Sequence, residues 1–393
     1  MKWELGFVLG VCALATGVLF LIHPFTFLGT VWTATIKIDT ISVLLLVLFI
    51  LILSTSMRES GALADLVESV RRLFVDNRFT IGALPAMIGL LPMPGGALFS
   101  APMIENLADE AEVSPEGRTY LNYWFRHVWE YSWPLYPGLI LESAVIGVPL
   151  MTVTAFQFPL CLGAILGGSL FGLLGIQKHF RKPLFGSELW HQLLVFMRGF
   201  WPILLIALLY ISILVSKIPI QNPFLYVLLI TVLLFGFTRI GVKKFPMLAW
   251  RAIDLKLIGT VYAVLVFKDI ILVSGAVEEL STVFQTWGIP PIALFIVIPM
   301  LIGWLTGITH SYVSVAFPLL LPFFGDPIDM AKVQLAYAFG FIGVIFSPVH
   351  LCLVLSTKYF NSDINKVFVR LILPASVLAL VSLAIYYRLS INP

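Results

Sequence analysis

The residues able to do chemistry in this chain sit where long apolar runs are broken. His310 lies in Thr306-Gly307-Ile308-Thr309-His310-Ser311, and His350 closes Ser347-Pro348-Val349-His350. Tyr136 stands between prolines in Pro134-Leu135-Tyr136-Pro137-Gly138, with Arg126 and Glu130 upstream. The run Pro92-Met93-Pro94-Gly95-Gly96 offers almost only backbone groups. Proline removes a donor and frees carbonyls upstream, so helices crossing these sites should be unwound. Half-helix N-termini then suit a carboxylate, and half-helix C-termini with loose carbonyls suit Na⁺. The imidazoles of His310 and His350 suit proton coupling.

Arg126 and Glu130, four residues apart, pair on one face if that segment is helical, and they are candidates for coupling or gating because ionisable groups at membrane depth are costly. Arg126 and His127 also lie near the cytoplasmic end of the predicted span, where snorkelling costs little. Glu142 follows later on the same span, and Lys268-Asp269 reads as a local pair. No His-Glu-x-x-His occurs, Glu278-Glu279 lacks the partners of a membrane protease glutamate, and His310, His350 and Glu130 are scattered for a metal set. Cys12, Cys161 and Cys352 lie in apolar segments without ligand spacing and read as small lipid- or helix-facing residues. No cofactor is expected; the ions in question are H⁺ or Na⁺, the latter at the hairpin tips.

The elements that must position these groups are membrane helices. With 60% hydrophobic and 11% charged residues over 393 positions, the chain is a polytopic membrane protein. A net charge of +3, spread between apolar runs, excludes nucleic-acid binding. Apolar spans are predicted near 4–22, 38–57, 119–145, 153–175, 192–216, 222–238, 253–273, 330–357 and 367–389. Phe79 to Glu105 and the segment 289–324 are each two short apolar arms around a breaker, which predicts hairpins that enter and leave by one membrane face.

The chain matches itself at a shift of 214 residues: Pro85, Ile88, Gly89 and Leu91 recur as Pro299, Ile302, Gly303 and Leu305, Ser60-Gly61-Ala62 as Ser274-Gly275-Ala276, and Pro134 as Pro348. After each Ser-Gly-Ala an apolar stripe follows at spacings of three and four, Leu63, Leu66, Val67, Val70 and Phe74 in one half and Val277, Leu280, Phe284 and Trp287 in the other, predicting amphipathic interface helices. The N-terminal apolar run belongs to this duplication and is not expected to be a cleaved signal. We therefore expect residues 1–176 to form one repeat (hairpin 79–105, broken helix 119–145), 177–217 a linker with a connecting helix, and 218–393 a second repeat (hairpin 289–324, broken helix 330–357). Four crossings plus one connecting helix invert the second repeat. With the N-terminus cytoplasmic and the C-terminus outside, 17 Lys and Arg fall inside and four outside, Lys37, Lys217, Lys332 and Arg388.

The motifs LLPMPGGALFSAPMIENLADE and NYWFRHVWEYSWPLYPG resemble an uncharacterised prokaryotic integral membrane family, domain of unknown function 401, of the ion transporter superfamily that includes gluconate, citrate and dicarboxylate permeases. The resemblance covers nearly the whole chain. It implies a secondary active transporter in the cytoplasmic membrane, with a dimerising scaffold and a transport domain that slides as an elevator. In the dicarboxylate symporters the tips and unwound helices carry Ser-Asn-Thr motifs. Here the tips read Pro-Met-Pro-Gly-Gly and Thr-Gly-Ile-Thr-His-Ser, which leaves a monocarboxylate, sugar acid or other small anion open. A membrane-embedded enzyme, a lipid-handling protein and a passive channel are the competing expectations.

Overall fold

The chain's apolar composition leaves the backbone no partner but itself, and it folds as helices. The computed structural model describes residues 5–93, 95–216 and 222–391, and among them no strand forms. Pro94, Lys2 and Lys217, and the side chains of Val277, Glu278 and Leu280, lie outside the described set.

Nine helices come first: α1 (Leu5–Leu19), α2 (Pro24–Ile36), α3 (Ile38–Glu59), α4 (Ala62–Leu73), α5 (Asn77–Gly89), α6 (Ala97–Glu110), α7 (Pro115–Arg126), α8 (Pro137–Ile146) and α9 (Leu150–Gly168, extended by a π turn to Leu173). The long α10 (Gly186–Ser216) follows. Nine more follow among the described residues: α11 (Pro223–Phe235, with a π turn to Ile240), α12 (Phe245–Arg251), α13 (Leu255–Ser274), α14 (Ala276–Thr286), α15 (Pro291–Thr306), α16 (Thr309–Leu320), α17 (Met330–Ile345), α18 (Leu351–Tyr359) and α19 (Ile364–Ile391). Among the described residues six helical segments, Ile38–Glu59, Leu150–Leu173, Gly186–Ile213, Pro223–Ile240, Leu255–Ser274 and Ile364–Leu389, are long and apolar enough to cross a membrane.

Local chemistry explains the boundaries. The Ser-Gly-Ala motif ends α3 and α13 alike: Gly61 and Gly275 take φ of +76° and +73°, and Ser60 Oγ and Ser274 Oγ accept the N–H of Ala62 and Ala276. Asp76, Ser114, Asp254 and Asp329 cap α5, α7, α13 and α17 through their side-chain oxygens. Asp76 is also held by Arg78 (Nη2 to Oδ2 2.6 Å), which keeps its carboxyl below the usual aspartate range. The amphipathic α4 buries Leu63, Leu66, Val67 and Val70, and its Ala62 carbonyl lies against Gly199 of α10.

Two expectations are corrected. Between the spans predicted at 4–22 and 38–57 lies a further helix, α2, which packs Phe27 on Gly17 and bonds Thr35 to the Tyr262 hydroxyl at 2.7 Å. The segment 119–145 is broken well before Pro134: α7 starts at Pro115 and ends at Arg126, and ten residues separate it from α8.

The hairpins α5–α6 and α15–α16 each lie on the helix that follows. Gly89 of α5 meets the backbone carbonyl of Arg126, and Gly303 of α15 meets that of Gly340, so no Cβ fits at either glycine. These contacts bring the described tip residues, 90–93, 95–96 and 307–308, to the breaks between α7 and α8 and between α17 and α18.

Candidate functional site

Proline dictates both breaks. A proline at 134 in a helix would clash with the carbonyl of Glu130, and the residues preceding Pro134 and Pro137 are driven toward extended backbone; Tyr136 has φ −81° and ψ 128°. The unwound stretch is anchored to the first arm by three donors: Trp129 Nε1 to the Ala86 carbonyl at 2.9 Å, Trp133 Nε1 to Leu90 at 2.9 Å, and the Tyr136 hydroxyl to Gly89. These satisfy carbonyls that the C-terminal end of α5 leaves free. In the second half Pro348 separates α17 from α18, and the second tip is tight because Gly307 adopts φ +63°.

The four half-helices α6, α8, α16 and α18 all begin at one cavity of about 320 Å³. Gly95 precedes the first; Tyr136, Pro137 and Gly138 open the second; Ile308, Thr309 and His310 open the third; His350, Leu351 and Cys352 open the fourth. Each brings the positive end of a helix dipole to the cavity. The opposite wall is apolar, Val47, Ile50 and Leu51 of α3 with Leu257 of α13, and Asp254 stands at its edge.

Three ionisable side chains at and just beyond the end of α7 complete it. Arg126 is 2% exposed; its Nη2 donates to the Met93 carbonyl at 2.9 Å, its Nη1 lies 4.0 Å from Glu130 Oε1, and its Nε has no hydrogen-bond partner. The guanidinium rests on Gly96, where a Cβ would stand 2.5–2.9 Å from its atoms. Glu130 Oε2 accepts the Thr309 hydroxyl at 2.9 Å and its backbone carbonyl accepts the Tyr337 hydroxyl at 2.7 Å, tying the first break to the second hairpin and to α17. His127 meets His350, Nε2 to Nε2, at 3.2 Å, with the Tyr123 ring edge-on to both.

Of the residues singled out in the sequence, Gly95, Arg126, Glu130, Tyr136, Pro137, Gly307, Thr309, His310 and His350 line the cavity, and Gly96 supports Arg126. Others stay off it: the Thr306 hydroxyl turns back to the Ile302 carbonyl at 2.8 Å, Ser347 Oγ accepts the Val349 N–H, Ser311 and Pro134 are buried elsewhere, and Pro348 is exposed.

Several readings change. Arg126 and His127 do not snorkel; they are 2% and 3% exposed at the inner end of α7. Arg126 and Glu130 do not share a helical face, since Glu130 follows the end of α7. Glu142 is buried against Gln157, away from the cavity. Lys268 and Asp269 are not a local pair: Lys268 donates to the Ala144 carbonyl at 2.8 Å, and Asp269 faces Lys37 at 3.6 Å. Cys352 faces the cavity instead of lipid, and with His127 and Asp254 it joins the site without having been singled out for it. The signal for His127 and Cys352 was proximity alone, one residue after Arg126 and two after His350.

No curated protein matches the chain. Residues 5–389 match the model of a protein family of unknown function, DUF401, and with nearly all of its length matched the chain belongs to that family.

Proposed function

We propose that the chain is a secondary active transporter of a small organic anion of the carboxylate class, coupled to H⁺ or Na⁺. The observation that carries this reading is the convergence of four half-helix N-termini on one cavity together with buried Arg126, whose Nε lacks a partner. Such a set of donors favours a negative group, and carboxylate geometry matches the guanidinium fork.

The matched order of α1–α9 and α11–α19, and the equivalent Gly89–Arg126 and Gly303–Gly340 contacts, support two repeats. The charge count favours their inversion, with the N-terminus cytoplasmic. A second cavity of about 440 Å³, lined by Asp39, Leu46 and Ile140, shares α3 and α8 with the site. Leu46 and Ile140 line it while Val47 and Gly138 line the site, so α3 and α8 border both spaces. Sliding the hairpins and broken helices along α3 and α13 would move the site from one space toward the other, an elevator cycle. A homodimeric scaffold in a prokaryotic cytoplasmic membrane is part of the same proposal.

The experiment is thermal stabilisation of the purified protein by a panel of carboxylates, with and without Na⁺. A carboxylate that raises the melting temperature of the wild type but not of Arg126→Gln supports the reading; no shift with any anion contradicts it. Product formation without accumulation in vesicles would favour an embedded enzyme.

A further inference from the structure

The paired imidazoles pose a problem that anion binding does not solve. His127 Nδ1 lies 2.6 Å from the Tyr123 carbonyl and His350 Nδ1 lies 2.7 Å from the Gly307 carbonyl. A carbonyl oxygen only accepts, so both rings carry their proton on Nδ1. In the neutral rings both Nε2 atoms are then acceptors; they face each other at 3.2 Å, and the Cys352 thiol is in hydrogen-bond contact with His127. Two lone pairs so placed need an electrophile between them.

Cys352 supplies the third donor: its Sγ and the two Nε2 atoms all lie within 4.8 Å of one another, and all three residues are buried. We propose that His127, His350 and Cys352 form a binding site for a divalent transition-metal ion of the zinc class. Four features fit. Nitrogen and thiolate sulfur are the donors such ions take, and hard cations such as Na⁺ or Mg²⁺ take oxygen instead. Zn–N bonds of about 2.0–2.1 Å at a tetrahedral angle place two nitrogens ~3.3 Å apart, close to the separation here. Each ring's other N–H is fixed by a backbone carbonyl, the outer-shell arrangement that orients metal-binding histidines. All three residues line the cavity, so the ion's remaining coordination position opens into it. Glu130 Oε1 stands nearby, 3.8 Å from His127 Nε2. The ligands come from both breaks, so the ion would pin the two halves together at the site.

The test uses the full-length protein in detergent, stripped with a chelator and titrated with Co²⁺ alone and then Zn²⁺ alone, with no organic anion present. One equivalent of Co²⁺ should bind with the visible absorption of a four-coordinate site and a thiolate-to-cobalt charge-transfer band, and Zn²⁺ should displace it. His127→Gln and His350→Gln should each weaken binding tenfold or more, and Cys352→Ser should remove the charge-transfer band. Each variant is compared with stripped wild type for elution and melting temperature, which separates loss of a ligand from loss of fold. Stripped wild type that binds neither ion, or binding unchanged in well-folded histidine variants, overturns the proposal. Because no organic anion is present, either result leaves the transport reading to its own test.

Discussion

Gly89 sits directly against the backbone carbonyl of Arg126, with no room for a side chain between α5 and α7. The equivalent contact in the second half, Gly303 on Gly340, is as close. Backbone cannot yield as a flexible side chain does, so Gly89→Ala and Gly303→Ala should each cost about 1–3 kcal/mol by overpacking. Gly10→Ala and Gly259→Ala, where the added methyl meets nothing within 4 Å, should be neutral or slightly stabilising. Melting temperatures in detergent decide this, and equal effects at the four positions would refute the packing argument.

Arg126 should govern anion affinity. A hydrogen bond to a charged group contributes roughly 1.5–3 kcal/mol, so Arg126→Gln should weaken binding of a carboxylate about 10- to 100-fold. Arg126→Lys retains the charge but loses the fork, and should recover only part of that loss. Gly96→Ala, which displaces the guanidinium, should weaken binding without removing any charge. Calorimetric titration of the stabilising carboxylate measures all three.

The aromatic anchors predict where the first hairpin loosens. Trp133→Phe and Tyr136→Phe leave the carbonyls of Leu90 and Gly89 without their donors, a loss of roughly 1–3 kcal/mol each if the groups stay buried. Hydrogen–deuterium exchange should rise in residues 84–99 and stay unchanged in 291–306. Uniform change across both hairpins would show that the anchors are not local.

The base of that hairpin has a pH signature. Arg78 holds the Asp76 carboxyl below its ordinary value of 3.8, so the pair stabilises the fold at pH above that value and the contribution is lost as pH falls through the lowered one. The difference in melting temperature between wild type and Asp76→Ala should be flat between about pH 5 and 8 and should shrink below about pH 4. A difference that grows on acidification would contradict this assignment.

Much of the framework was legible because its signals are local. Pro134, Pro137 and Pro348 announce broken helices, Gly61 and Gly275 mark sharp exits, and the residues around Pro92–Gly96 and Gly307 mark tips; each acts within a few residues of itself. Where α7 stops was not legible, since unwinding from His127 onward is fixed by Trp129, Trp133 and Tyr136 bonding to a hairpin some 43 to 47 residues earlier. The same holds for α2, which depends on Tyr262 in the other half of the chain. His127 escaped notice as a partner of His350 and Cys352 because it lies 223 residues from His350 in sequence; they meet only when the two breaks are folded together.

The most direct measurement is uptake into proteoliposomes of the carboxylate that most stabilises the purified protein, with a Na⁺ or pH gradient imposed across the membrane. The account predicts accumulation of the carboxylate above its external concentration while a gradient persists, collapse of that accumulation when the gradient is dissipated, and none in Arg126→Gln. Uptake that only equilibrates, or that proceeds unchanged without Arg126, would contradict it.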